Sequence, residues 1–167
     1  MKKIFALALS AVMALSMVAC GGNDKTESTY DVNAVLTTIE TASPVRMSTP
    51  VDEEYMNFIG IDAEMYNTFA GSYCPITPGV DVIIVVEAKD GKVEDVKAAL
   101  EARRNEIFAA NENYVGALRD KAEAGRVVVK GNYAVLVIGG DEIVVEDQGV
   151  EKAYEPIDAA IEAAFNK

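Results

Sequence analysis

Two thiols, Cys20 and Cys74, and 27 carboxylates are the side chains in this 167-residue sequence best suited to chemistry, and they must work without a single histidine. Lacking an imidazole, the chain has no base for a Ser/His/Asp or Cys/His nucleophile and no His-containing zinc set. Cys74 lies in Tyr73-Cys74-Pro75 with no neighbouring cation to stabilise a thiolate, and reads as a small buried apolar group. Gly71-Ser72-Tyr73-Cys74 lacks the flanks of a nucleophile elbow, and no glycine loop has the spacing that cradles phosphate. Asp52-Glu53-Glu54, Asp141-Glu142 and Glu146-Asp147 do not fit the loop that places six oxygens round calcium, so they read as solvated surface. A pair of carboxylates alone can hydrolyse a glycosidic bond, but the domain is small and has no tryptophan to stack a sugar. No catalytic residue, metal ligand or cofactor is therefore assigned.

Contact chemistry is better represented. The segment Tyr66 to Gly79 (YNTFAGSYCPITPG) gathers Tyr66, Phe69 and Tyr73 with two prolines, and these three rings are the candidate partner-binding residues. The alternative is that they plug the end of a sheet or its helix layer.

Cys20 has a different setting. Lys2 and Lys3 precede an uncharged run, Ile4 to Ala19, which is short of the ~20 residues of a membrane span and reads as an export signal. The Ala19-Cys20 junction resembles a bacterial lipobox, with Met17 where Leu is most frequent. That resemblance implies cleavage before Cys20 and acylation of its thiol. Residues 1–19 are then a lipoprotein signal peptide, and 20–30, nearly devoid of apolar side chains, a flexible tether. Each buried CH₂ of the acyl chains adds roughly 0.8 kcal/mol of anchoring. The expected location is the membrane, lipid-anchored and facing outside the cytoplasm.

Residues 31–167 suit one domain of the usual ~100–150 residues. The formal net charge is -12, so the surface repels polyanions and nucleic acid is not an expected partner. Val32, Val35, Leu36 and Ile39 recur at helical spacing after the capping Asp31. Thr49-Pro50 before Asp52-Glu53-Glu54 predicts a helix start and Gly60 its stop. Alternation from Glu64 to Tyr73 predicts a strand, and Val80 to Ala88 a central strand covered on both faces. Val93, Val96, Leu100, Ile107, Tyr114 and Leu118 predict one long helix or two in tandem, broken around Asn111 to Asn113. Arg126 to Lys130 and Tyr133 to Ile138 flank Gly131-Asn132 as a hairpin. Ile143 to Glu146 is expected as a short edge strand, and Pro156 as the start of a last helix with Ile157, Ile161 and Phe165 inward. The expected fold is α+β, helices on a small, mostly antiparallel sheet of three to five strands.

This order of elements, with Ile59-Gly60-Ile61-Asp62, Glu87-Ala88-Lys89, Arg103, Tyr114 and Gly131-Asn132-Tyr133, resembles an uncharacterised family of Gram-positive bacterial lipoproteins carrying a domain of unknown function. The resemblance spans roughly residues 31 to 140, with Asp141 to Glu155 as an extra insertion. It implies an address and a fold and no reaction. The expected function is a membrane-tethered binding or adaptor module, whose partner beyond the membrane is an envelope protein or a small molecule. The alternatives are a carboxylate-dependent cell-wall hydrolase and a structural partner of an envelope complex.

Overall fold

The computed structural model describes residues 30–114 and 116–166. They form five strands in one open antiparallel sheet, ordered β1-β2-β3-β5-β4, with six helices. The strands are β1 (Thr49–Pro50), β2 (Tyr66–Tyr73), β3 (Val82–Ala88), β4 (Arg126–Lys130) and β5 (Tyr133–Ile138). The helices are α1 (Val32–Ala42), α2 (Glu53–Phe58), α3 (Val93–Asn111), α4 (Ala117–Ala124), α5 (Glu142–Gln148) and α6 (Val150–Ala164).

All seven residues of β3 are buried because helices cover both of its faces. Val82, Ile84 and Val86 join Leu136 and Ile138 of β5 beneath Met56 of α2 and Val96, Leu100 and Ile107 of α3. Ile83 and Val85 face the other way with Val135 and Val137, against Val32, Val35 and Ile39 of α1 and Tyr154, Ile157 and Ile161 of α6. One period-2 run of β-branched residues thus serves two cores. Gly131 supplies the positive φ (+61°) that the β4–β5 turn needs, and Lys130 pairs with Tyr133 across it.

Four expectations change. Thr49-Pro50 is the edge strand β1 rather than a helix start, since proline lacks the N–H an inner strand must donate and is tolerated at an edge. The cap of α2 is Asp52, whose carboxylate accepts from Tyr55 N at 2.8 Å. Ile143 to Glu146 is helical: Asp141 accepts from Ile143 N and Val144 N, which starts α5 and overrides the β propensity of Ile-Val-Val. α6 begins at Val150, and Pro156 lies inside it. The buried stripe Ala153, Tyr154, Ile157, Ile161 runs through the proline, so packing offsets the lost backbone hydrogen bond. The stretch read as an insertion is therefore α5 and the first turns of α6. The tandem-helix alternative holds for α3 and α4, and Tyr114 lies exposed in the turn between them.

Candidate functional site

A bulge between Tyr66 and Thr68 sets Tyr66 edge-on to Phe69, with ring centroids 5.0 Å apart. Tyr73, at the other end of β2, packs on Tyr55 of α2 at 4.5 Å. The α3 Arg103 guanidinium lies 5.5 Å from the Tyr55 ring and 5.4 Å from Phe58, and its Nε donates to Tyr55 Oη at 3.2 Å. Burial pushes the Tyr55 phenol above its ordinary pKa, against the opposing pull of Arg103. α3 packs across β3, β5 and β4, so these rings cover the β2 side of that face. Tyr66, Phe69 and Tyr73 are half-buried, and Phe58 is 69% exposed. Tyr66 and Tyr73 are roughly 23 Å apart along the strand at ~3.3 Å per residue. The three residues make a stripe with two ring pairs rather than one compact site.

Cys74 is buried and unbridged at the end of β2, where its N donates to Asp81 O at 2.9 Å. Cys20 lies outside the described residues. Among the described residues no group of three or more Cys, Asp or Glu side chains is placed to hold a metal ion.

Sequence reasoning missed a charged cluster at the Tyr73–Val82 end of the sheet. Asp81, just before β3, is 5% exposed and Lys121, in α4, only 2%. Lys121 Nζ lies 2.5 Å from Asp81 Oδ1 and 3.8 Å from Glu142 Oε1, and the same Glu142 oxygen is 3.2 Å from Arg46 Nη2. Despite the close ionic contact, Asp81 Oδ1 forms no hydrogen bond of good geometry among the described residues. Tyr154 holds this end in register: its hydroxyl donates to Lys121 O at 2.9 Å and accepts from Gly139 N at 3.3 Å. Burial lifts its pKa to about 12, with the Gly139 bond pulling the other way. Arg46, Asp81, Lys121, Gly140, Asp141 and Glu142 line an open cavity of about 280 Å³. An acid interrupting the apolar run at Val80-Asp81-Val82 was the one local sign of this site. Lys121 had none, since one lysine among Arg, Asp and Glu on a short helix looks solvated.

The fold and its sites can now be set beside known proteins. Residues 40–139 match the model of a family described as "Domain of unknown function (DUF4358)". The chain belongs to that family. The DUF4358 region runs from Glu40 in α1 to Gly139 after β5, so it contains Arg46, the β2 aromatic stripe, Asp81 and Lys121. Glu142, α5 and α6 follow it, although α6 contributes Tyr154, Ile157, Ile161 and Ala164 to one core. No curated protein and no solved structure matches the chain. No helix among the described residues is long and apolar enough to cross a membrane.

Proposed function

We propose that this DUF4358 chain is a membrane-tethered, extracytoplasmic lipoprotein whose domain is a non-catalytic binding or adaptor module. The observation that carries the tethering is the order Lys2-Lys3, uncharged Ile4 to Ala19, then Cys20. Acylated at Cys20, the chain is held at the membrane by its lipid; the expected tether stops short of Tyr30, which belongs to the domain because its ring packs on Tyr133 and Phe165. The half-exposed stripe of Tyr66, Phe69 and Tyr73, extended by Phe58 and Arg103, supports contact with a protein or small-molecule partner. Aromatic rings and an arginine are the side chains that dominate such contacts.

The hydrolase alternative requires two carboxylates facing each other across open space about 5–10 Å wide. Asp81 and Glu142 line one cavity, but Lys121 Nζ contacts Asp81 and approaches Glu142, taking the place a glycosidic bond would need. At this cavity a binding role is therefore preferred. Palmitate labelling of the wild type and of Cys20→Ser tests the anchor, with label expected on the wild type only. Equal labelling of both overturns it.

A further inference from the structure

The cavity beside Asp81 and Lys121 has a charge pattern that tethering and ring contact leave unused. Burying an ion pair carries a large desolvation penalty, and a well-packed apolar pair of similar volume often serves stability as well or better. The cost is higher where directional bonds are incomplete, as at Asp81 Oδ1. Among the described residues Lys121 Nζ is held by Asp81 alone, its second carboxylate neighbour being 3.8 Å away, beyond hydrogen-bond reach. Both groups line the cavity and both are more than nine-tenths buried. The structure thus holds a buried ion pair, its Asp81 Oδ1 short of a well-directed bond, in the wall of a space open to solvent.

The rest of the lining narrows what fits. Two cations, Arg46 and Lys121, alternate with three carboxylates, Asp81, Asp141 and Glu142. A simple anion meets the carboxylates and a simple cation meets Arg46 and Lys121, each at a cost in repulsion. A zwitterion meets both signs favourably. The Asp81 and Lys121 charges are only 2.5 Å apart, and an α-amino acid carries its ammonium and carboxylate on one carbon at matching spacing. At about 280 Å³ the space lies just below the ~300–1,000 Å³ of ordinary small-molecule pockets, which suits a ligand of that size.

We infer that this cavity binds a small zwitterion of the α-amino-acid class, its ammonium on Asp81 and its carboxylate between Lys121 and Arg46. Glu142 is the internal competitor: its Oε1 stands where the ligand carboxylate would sit, and its side chain is exposed enough to swing out. Asp141 is committed to capping α5 and contributes charge only. The site is independent of the anchor and of the aromatic stripe, so failure of either leaves it standing.

The test is titration of the full chain with glycine, acetate or methylammonium at constant ionic strength, following backbone amide shifts at residues 46, 81, 121 and 140–142. Glycine is expected to give saturable shifts there, with acetate and methylammonium each about tenfold weaker or worse, because each lacks one charge-assisted contact. Arg46→Gln, at an exposed position where folding is insensitive, is expected to weaken glycine by about tenfold, and Glu142→Gln to tighten it. Either single-charge probe matching glycine, glycine shifts that ignore both substitutions, or no saturable shift in the wild type and Glu142→Gln overturns the proposal.

Discussion

Two groups of aromatic rings in this domain are built from the same residue types and meet opposite fates. Tyr30, Tyr133 and Phe165 close on one another with centroids 5.1–5.7 Å apart, where the chain entering α1 crosses the end of α6 and the β4–β5 turn. Tyr133 is 1% exposed; its hydroxyl accepts from Tyr30 N and donates to Tyr30 O, while the Tyr30 hydroxyl donates to Phe165 O. These polar tips are satisfied by backbone, and the rings fasten both ends of the described chain to a central strand. Tyr55, Phe58, Tyr66, Phe69 and Tyr73 pack just as closely, but they lie over the β2 side of the sheet, beyond the part that α3 crosses. Ring-to-ring contact therefore does not distinguish a packing cluster from a presented one. What distinguishes them is burial: Tyr133 and Phe165 are buried, whereas the β2 rings are half-buried and Phe58 is exposed.

Substitutions that remove one ring from each group separate these cases. Phe165→Ala is expected to cost about 3–5 kcal/mol of stability, the range for truncating a buried large aromatic, read from chemical denaturation. A loss below about 1 kcal/mol would place that cluster with the presented group. Lys121→Met should destabilise by a similar ~3–5 kcal/mol because it leaves Asp81 buried without its cation, whereas Asp81→Leu with Lys121→Met should recover most of the loss. No recovery in the double variant would mean that the loss does not come from stranding the Asp81 charge.

The stripe is expected to respond less in stability and more in contact. Tyr66→Ala and Tyr73→Ala should weaken partner capture by ~1 kcal/mol or more. Large losses in melting temperature for both, with normal capture at low temperature, would move the stripe into the packing class. Phe58→Ala, at the most exposed ring, should stay within about 0.5 kcal/mol of the wild type in stability.

A separate effect concerns alkaline pH. The folded pKa of Tyr154, about 12, lies above the ordinary phenol value of 10.0, so the folded state holds this proton more tightly than the unfolded state does. Its contribution is fully present below pH 10 and is lost as pH rises from 10 towards 12. A denaturation series over that window should show stability falling, and Tyr154→Phe should flatten that part of the slope while lowering stability through two lost hydrogen bonds.

Much of the architecture was legible residue by residue. The β4–β5 hairpin follows from Gly131-Asn132 between two apolar runs, the central place of β3 from five consecutive apolar residues, and α1 from Asp31 before an i, i+3, i+4 stripe. The candidate aromatic residues were legible as types, and their half-burial was not, because nothing local says how far α3 reaches across the sheet.

By itself the sequence determined those elements whose signals are local: turn glycines, helix caps and strong periodicity act within a few residues and need no partner. It also determined that imidazole chemistry is absent, which is a matter of composition alone. The helix at Ile143 to Glu146 also starts from a local signal, the Asp141 cap, whereas only the tertiary structure decided that α6 begins before Pro156, where a buried stripe outweighs the cost of an internal proline. Only the tertiary structure, likewise, joined Arg46, Asp81, Lys121 and Glu142. They come from four separate segments, and a buried charge is recognisable only through the partners that folding brings to it.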